Sequence, residues 1–543
     1  MLFSRPPLYA PKWPCYSTSV FRRSSAVEQL TVNQLVVGSI PTAGANKIKH
    51  LGDTAARCEL LKHSISTVLL PSTPRGMPRL PVDTPRSLDI ESDHSPGHSE
   101  LLPYNAFMTG TFVDLFCGCG GLSLGLRQAG FNELFALEAN VDAFDTYMHN
   151  FHSEGRPPNW PAWLEYGSND VVKVAITKRR ELLNLRGKVD LVAGGPPCQG
   201  FSMNGRRDPN DSRNRLVSAY LSIVRAVRPR VVLMENVRGF RSMKRATGQS
   251  HEAYVVSRLE AMGYEVHANL VNAADFGVPQ HRVRFVLIAF ISGALAGVKP
   301  HERLAVSRKA HLRSLDLPTD RRLTVSDAIG DLTVTGKKLE PDPEFGKVGF
   351  KQIIWQEPTG ENKYLELLRA NVSQAPSCLR LPRHNEETTN RMVRIIRECS
   401  PGKPIPKEKM QEFGLKKRTI VRLHADFPAP TVGTLPDDTI HPSEPRILTV
   451  REQARLQSFP DWFDFLGPYT SGGLRRRKAC PRYTQVGNAV PPLLGLALGK
   501  ILLGLLRDMR TDDASHGLAV DKMLSEVSPK GWKICHAEAR IST

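Results

Sequence analysis

The chain has 543 residues, which is too long for one hydrophobic core, so we expect two or more domains. Its 73 Lys and Arg against 54 Asp and Glu give a formal net charge of +19, which favours a polyanionic partner without separating DNA from RNA or an acidic surface. Nine cysteines with no CxxC pair argue against a disulfide framework and a structural zinc site. We therefore expect a reducing compartment and no metal.

The apolar stretches of the sequence do not indicate a membrane protein. None reaches the roughly 20 apolar residues that a span needs. The richest, residues 493–506, contains Lys500 and predicts a buried helix. The amino terminus shows no signal-peptide pattern, so we expect a cytoplasmic protein with no membrane partner.

Residues 1–107 are rich in Pro, Ser and Arg and show no sustained period, which predicts disorder or weak structure. Residues 24–45, SSAVEQLTVNQLVVGSIPTAGA, resemble the conceptual translation of a bacterial transfer RNA gene. Our hypothesis is that this extension is spurious and that translation starts at Met77 or Met108. A genuine flexible tail is the alternative.

The pattern changes at Thr111, where TFVDLF predicts a strand, CGCGG a tight turn, and LSLGLRQAG a helix closed by Gly130. A second strand, LFALEAN, carries Glu138 at its end, 20 positions after Gly118. Glycines let the backbone approach a ligand, the helix amino terminus favours an anion, and the carboxylate can accept from ribose hydroxyls. The spacing is GxGG rather than GxGxxG, which argues against a dinucleotide ligand.

Two polar residues further along extend this nucleotide-type unit. Asn169 and Asp170 end an irregular connection, in a position suited to receiving an adenine amino group.

A candidate nucleophile lies in VDLVAGGPPCQGFS, residues 189–202. The apolar run 189–193 predicts a buried parallel strand, and the Gly-Gly-Pro-Pro sequence then breaks it and presents Cys198 at the strand's carboxyl end. Open α/β sheets place their chemistry at this edge. An isolated cysteine is more often a small buried hydrophobe, so this assignment needs support from other residues.

That support comes from the strands that follow. After a helix at 216–227, VVLMENV predicts a buried strand with Glu235 at its end. Glu235 could simply cap the loop, but a thiol and a carboxylate facing one crevice from neighbouring strands indicate a site. After a helix at 251–262, Gln280, Arg282 and Arg284 alternate in a strand-like segment and should project to one face.

These motifs identify a family. DLFCGCGG, GGPPCQGFS, ENV, QHRVR, RILTVREQARLQSFPDWF and QVGNAVPP occur in the order and spacing of the C5-cytosine DNA methyltransferases. The resemblance covers residues 111 to about 290 and about 422 to 506. It implies an α/β protein with a Rossmann-like, mainly parallel sheet that binds S-adenosylmethionine, and a second, smaller target-recognition domain across a cleft that holds DNA.

The resemblance also implies a domain order. We expect the first part of the catalytic and cofactor-binding domain at 108–290, the target-recognition domain at 291–421, the returning part of the catalytic domain at 422–508, and a tail at 509–543. The final apolar helix should pack beside the first helix.

By resemblance, Cys198 adds to C6 of cytosine and Glu235 protonates N3, while Arg284 holds the O2 edge and Arg282 braces the site. The base must leave the duplex, and the polar loop 199–215 is suited to close over it. The implied cofactor residues, carried over one by one, are Phe116, Gly118, Cys119, Gly121, Glu138, Ala139, Asp170, Val171, Pro197, Leu216, Asn488 and Ala489.

Basic runs at 416–418 and 475–478 are candidates for contacts with the DNA backbone. The first could equally be a solvated face. The sequence does not reveal the bases around the target cytosine.

Two other functions stay open. A transfer-RNA methyltransferase shares this fold and nucleophile, but that branch reads PPCQPFT and carries a CFT tripeptide, whereas this chain reads PPCQGFS and has no CFT. A catalytically silent DNA-binding relative is the second. The single catalytic module favours a bacterial restriction-modification system, with a cognate restriction endonuclease as a functional partner, and an orphan modification enzyme is also compatible. We expect a monomer acting on double-stranded DNA.

Overall fold

The computed structural model describes residues 109–197, 214–245, 247–370, 372, 374–415, 419–470 and 479–526. All of them belong to one compact unit. The prediction for residues 1–107 lies outside the described residues.

The strands lie in a central sheet and three short pairs. In chain order they are β1 (Thr111–Leu115), β2 (Asn132–Leu137), β3 (Leu191–Gly194), β4 (Val231–Val237), β5 (Tyr264–Asn272), β6 (Gln280–His281), β7 (Val283–Ile291), β8 (Leu339–Pro341), β9 (Lys351–Ile353), β10 (Val421–Arg422), β11 (Ala429–Pro430) and β12 (Thr439–Ile440).

The central sheet has six strands in the order β2-β1-β3-β4-β7-β5. The first four run parallel, and β7 and β5 join antiparallel. The expected mainly parallel α/β sheet is thus confirmed. The chain moves from β1 to one side and then returns to β3 on the other, so the order reverses at β1, and ligands of open α/β sheets bind at such a reversal.

The helices cover both faces of this sheet. They are α1 (Gly121–Ala129), α2 (Val141–Phe151), α3 (Val171–Thr177), α4 (Arg179–Leu183), α5 (Asn214–Val227), α6 (His251–Glu260), α7 (Pro300–Arg313), α8 (Val325–Ile329), α9 (Lys363–Leu368), α10 (Glu386–Glu398), α11 (Lys407–Glu412), α12 (Val450–Leu456), α13 (Arg482–Asn488) and α14 (Pro492–Glu526).

Alternation along the strands divides the interior into two layers. On β1, Phe112 packs in a core with α1, α7 and α14, whereas Val113 and Leu115 pack in a second core with α2, α3 and α5. Strands buried on both faces explain why the sequence shows continuous apolar runs here.

Several predicted boundaries agree closely with these elements, but α14 extends to Glu526, well beyond the predicted helix end at 506. The strand at ENV ends at Val237 as expected, and Gly130 closes α1 in a left-handed conformation. The strand before the candidate nucleophile begins at Leu191 rather than 189. The QHRVR segment is interrupted at Arg282, which lies between β6 and β7.

The first and last helices pack closely through glycine. A Cβ at Gly125 of α1 would lie 2.4 Å from the Pro492 carbonyl oxygen, and a Cβ at Gly499 would lie 2.6 Å from the Ala129 Cβ. The predicted packing of the final helix beside α1 is confirmed. Among the described residues, Arg482–Thr511 is long and apolar enough to cross a membrane, yet 72% of its most apolar window is buried inside the protein.

The segment predicted as the target-recognition domain, residues 291–421, contributes to two cores. Helices α7, α8 and α9 contribute Leu304, Val325 and Leu368 to the core of the central sheet. A separate small core spans residues 392–447 and joins α10, α11 and β12. The predicted boundaries at 291 and 421 stay a prediction.

Candidate active site

Three strand ends meet at the carboxyl edge of the sheet. Leu115 of β1 pairs with Gly194 of β3, and Gly194 pairs with Met234 of β4. Because these strands are parallel neighbours, the glycine turn after β1, the Pro-Pro segment after β3 and Glu235 leave the sheet side by side. The candidate nucleophile Cys198 and the loop 199–213 lie outside the described residues.

Glu235 occupies a buried position beside the segment that leads to Cys198. The residue is 8% exposed, and a Cβ at Gly195 would lie 3.3 Å from its Oε2. Its Oε1 lies 3.1 Å from Nε of Arg284. Burial raises the pKa of the Glu235 carboxyl above its usual range, and the guanidinium groups of Arg284 and Arg282 oppose that shift only in part. Burial therefore shifts this carboxyl towards its protonated form relative to an exposed glutamate.

Asn236, the second residue of ENV, links the end of β4 to the segment that follows β3. Its Nδ2 donates to the Pro196 carbonyl oxygen at 3.1 Å, and its Oδ1 accepts from the Val237 backbone N–H at 2.9 Å. Its side chain is buried. Both ends of the amide are engaged, so the side chain holds the backbone two residues before Cys198 in a fixed position.

The two arginines after β6 act on different neighbours. Arg284 pairs with Glu235, while Arg282 donates through Nη2 to the carbonyl oxygens of Gly487 and Ala489 at 2.9 and 2.8 Å. Burial, followed by the charge of Arg284, lowers the pKa of Arg282 well below its usual value. Arg282 thereby fastens the QVGNAV segment to the sheet. Its predicted role in bracing the site stays a prediction. The expected contact of Arg284 with the cytosine O2 stays a prediction.

Glu138, a candidate cofactor residue directly after β2, is hydrogen-bonded to the glycine turn after β1. The Gly118 N–H donates to Oε2 of Glu138 at 3.1 Å, and the Asn140 N–H donates to Oε1 at 2.7 Å. Gly118 has φ +58°, and a Cβ there would meet nothing within 4 Å. The carboxylate is thus fixed by two backbone donors beside an open space.

Phe116, at the start of this turn, has φ +66°, a left-handed conformation that is uncommon for a bulky residue. Its backbone N–H donates to the Leu137 carbonyl oxygen at 2.8 Å. The neighbouring strand therefore holds the turn in a strained shape, as is frequent at ligand sites.

The returning segment closes the turn from the other side. The Cys119 thiol lies 3.8 Å from the Gln485 carbonyl oxygen, and a Cβ at Gly121 would lie 3.3 Å from the Ala489 Cβ. Asn488 is exposed at the end of α13. The structure thereby brings together residues that are about 370 positions apart in the sequence.

The other predicted cofactor residues lie around the same edge in different environments. Asp170 caps α3, with its Oδ1 accepting from the backbone N–H groups of Val172 and Lys173. Val171 is 2% exposed, so its side chain belongs to the core and its backbone alone could meet a ligand. Ala139 and Pro197 are exposed and Leu216 is half-buried. The cofactor assignments stay predictions.

Sequence reasoning missed the side-chain contacts that hold the site together. Besides Asn236, Gln280 accepts from the Val432 N–H and donates to the Leu456 carbonyl oxygen. Gln457 donates to the Val486 carbonyl oxygen at 2.7 Å. Buried amides within apolar motifs were the available signal, because such groups must find partners. The basic runs 416–418 and 475–478 lie outside the described residues.

Comparison with known proteins agrees with this arrangement. The family model described as C-5 cytosine-specific DNA methylase matches residues 110–503. The type II methyltransferase M.AgeI of Thalassovita gelatinovora is 32% identical over 72% of this chain and 98% of its own length. M1.HphI of Haemophilus parahaemolyticus is 32% identical over 73% of this chain and 87% of its own length, and M.DdeI of Desulfomicrobium norvegicum is 31% identical over 72% and 87%.

A solved structure of a prophage-encoded E. coli protein, described as a DNA modification methyltransferase, covers 74% of this chain and 100% of its own. Its TM-score is 0.51 at 23% identity, and this likeness shows a shared fold. The family match spans most of the chain, includes the glycine turn, the ENV strand and the returning QVGNAV segment, and is accompanied by relatives above 30% identity. The chain therefore belongs to the C-5 cytosine-specific DNA methylase family, as a DNA cytosine-5 methyltransferase.

Proposed function

We propose that this enzyme methylates C5 of a flipped-out cytosine within a specific sequence of double-stranded DNA, using S-adenosylmethionine. The observation that carries the proposal is the meeting of the three strand ends, because the glycine turn, a buried acid with a raised pKa and the segment before Cys198 lie at one edge.

The residues of the glycine turn suit S-adenosylmethionine. Gly118 leaves space for a ligand, and Glu138 lies beside it as a fixed carboxylate that can accept from ribose hydroxyls. When bound, this cofactor supplies an electrophilic methyl group on a sulfonium. Phe116, Cys119, Gly121, Ala139, Asp170, Val171, Pro197, Leu216, Asn488 and Ala489 are the further residues that we assign to its pocket.

Cytosine C5 is a weak nucleophile, and the proposed roles of Cys198 and Glu235 overcome this. The Cys198 thiolate forms a bond to C6, the electron pair moves into the ring, and N3 takes a proton from Glu235. C5 thereby becomes an enamine carbon. Once C5 carries its methyl group, water or hydroxide takes the C5 proton, and the electron pair forms the C5–C6 double bond as the bond between sulfur and C6 breaks. The Cys198 thiolate is released, and N3 returns its proton to Glu235.

The electrostatics around Glu235 support its role as an acid. Burial favours the neutral carboxyl, and the Arg284 guanidinium can stabilise the carboxylate after the proton has left. Activity should therefore fall as the pH rises through the raised pKa of Glu235, because the ionised carboxyl has no proton to give.

The type II names of the relatives favour a restriction-modification setting. We propose a bacterial cytoplasmic enzyme that acts as a monomer at the nucleoid, with a cognate restriction endonuclease as its functional partner. Bisulfite sequencing of DNA from cells that express the chain would identify the methylated sequence.

A covalent trap tests the proposed chemistry. A duplex with 5-fluorocytosine at the target should form a denaturant-stable complex with the protein when S-adenosylmethionine is present, because fluorine cannot leave as a proton does. The Cys198→Ser variant should bind the duplex but show neither trapping nor methylation. Methylation by this variant would remove Cys198 from its role. Methylation of transfer RNA in place of duplex DNA would favour the RNA branch.

A further inference from the structure

A short basic segment directly follows the catalytic strand β4. Residues 238–250 contain Arg238, Arg241, Lys244 and Arg245 and no acidic residue. Arg241 pairs with Glu252 at 3.2 Å, which leaves three positive charges uncompensated within the segment. Arg238 and Lys244 are exposed and pair with no carboxylate in the part of the chain that the structure describes.

Several exposed arginines elsewhere on the described surface pair with carboxylates. Arg321 pairs with Asp327, Arg322 with Asp275, and Arg394 with Glu398. In the 238–250 segment, by contrast, three uncompensated positive charges lie within eight residues, and such charge attracts phosphate groups.

The backbone of this segment is held firmly. A 3₁₀ helix, Arg238–Arg241, buries Phe240, whose ring centroid lies 5.3 Å from that of Phe285 on β7. The chain then turns back, with the His251 N–H donating to the Met243 carbonyl oxygen and the Arg245 N–H to the Gln249 carbonyl oxygen. The segment is thus a hydrogen-bonded platform and presents its charges with little ordering cost.

Arg245 is ordered further by an aromatic ring. Its guanidinium carbon lies 3.5 Å from the centroid of the Tyr254 ring on α6. Stacking of this kind fixes the plane of the guanidinium and leaves its outer N–H groups available to an anion.

The platform lies at the same sheet edge as the candidate active site. Val237, which precedes it, pairs with Arg284 across β4 and β7, and Arg284 contacts Glu235. Any strand of DNA that delivers a cytosine to Glu235 must pass this edge, and its phosphates carry the complementary charge.

We propose that Arg238, Lys244 and Arg245 bind the phosphodiester backbone of the target strand beside the extruded cytosine. The proposal rests on DNA being the substrate. Phosphate contacts position a protein on the duplex without reading bases, so this platform supplies affinity and register and leaves specificity to other residues.

The test is the salt dependence of DNA binding. The double variant Arg238→Gln/Lys244→Gln should bind both a mixed-sequence duplex and one that carries the target more weakly, by a similar factor. The slope of log affinity against log salt should become shallower by about 2, because each phosphate contact contributes about 0.9. The affinity for S-adenosylmethionine and the melting temperature should stay unchanged.

Lys309→Gln, at an exposed position on α7, is the matched control and should leave the slope unchanged. Equal slopes for the double variant and the wild type would contradict the proposed phosphate contacts and would leave the proposed methylation chemistry unaffected. A slope change in a protein that fails to methylate DNA would support the platform and count against the proposed function. Absence of DNA binding by the wild type would overturn both.

Discussion

Glu235 is subject to two opposing influences that are both local. Burial disfavours its negative charge, and a guanidinium at 3.1 Å favours it. The net effect is a raised pKa, so the same carboxyl can give a proton and then be stabilised without it. An acid that must act once in each catalytic cycle needs both properties.

Asn236 provides the sharpest test at the residue scale. Replacing Asn236 by Ala removes the donor to the Pro196 carbonyl oxygen, and the backbone before Cys198 should lose its fixed position. A buried hydrogen bond of this kind contributes about 1–3 kcal/mol, so we expect covalent trapping on 5-fluorocytosine DNA to slow about 10- to 100-fold. The measurement is the trapping rate at saturating DNA and S-adenosylmethionine, together with the affinities for both.

Asn159→Ala is the matched control, because it removes an exposed amide donor to the Glu133 carbonyl oxygen far along the chain from the Pro-Pro segment. Its trapping rate should equal that of the wild type. Loss of DNA or cofactor affinity in Asn236→Ala, with an unchanged trapping rate, would contradict the positioning role.

At the scale of elements, glycine decides how closely α1 and α14 approach. Gly125 faces the Pro492 carbonyl oxygen, and Gly495 faces the Gly125 backbone. Side chains at these positions would separate the helices, and the turn that precedes α1 would move with them. The contact between α1 and α14 therefore helps to hold the glycine turn in place.

Gly125→Ala should lower the free energy of unfolding by about 1–3 kcal/mol, because the new methyl group has no space. Gly504→Ala is the matched control in α14, since a Cβ there would meet nothing within 4 Å. That change should be neutral or stabilising by up to about 1 kcal/mol, as alanine favours a helix over glycine. Urea unfolding measures both. Equal effects of the two substitutions would show that helix propensity, not close packing, governs these sites.

A buried acid also links three elements beneath the glycine turn. The Ser123 hydroxyl of α1 lies 2.7 Å from Oδ2 of Asp114 on β1 and 3.0 Å from Oε1 of Glu133 on β2. The Ser123 hydroxyl has one proton to donate, and Glu133 also pairs with Arg127 at 3.3 Å, which leaves Asp114 as the carboxyl better placed to carry a proton. Burial raises the pKa of Asp114 to about 8, which makes it the proton carrier.

The folded state therefore binds a proton that the unfolded chain releases near pH 4. Asp114 contributes stability that is complete below its unfolded pKa of 3.8 and is lost as the pH rises towards about 8. Asp114→Asn should remove this dependence, so the variant should gain relative to the wild type by at most about 1.4 kcal/mol per pH unit in that window. Urea unfolding between pH 5 and 8.5 measures the difference.

Asp426→Asn, at an exposed position, is the control and should follow the wild-type pH profile. Parallel profiles for Asp114→Asn and the wild type would contradict the assignment of the proton to Asp114.

At the scale of the whole molecule, local patterns predicted the parallel strands, the glycine turn and the helix at the carboxyl terminus. They did so because buried strands, turns and helix ends have signatures within a few residues. The antiparallel direction of β7 was not predicted, since an apolar run does not encode its direction. Asn236 and the burial of Val171 depend on neighbours distant in sequence, and the motifs show the residue types without the contacts.

The contact between α1 and α14 has a consequence for synthesis of the protein. The glycine turn and Glu138, which is hydrogen-bonded to it, lie within the first 30 described residues. Cys119 and Gly121 of this turn contact residues 485–490. Those residues belong to the last of the family motifs to leave the ribosome. A nascent chain thus contains the motif of the candidate nucleophile long before residues 485–490 can pack against the glycine turn. We therefore expect that a chain interrupted before residue 485 would not methylate DNA.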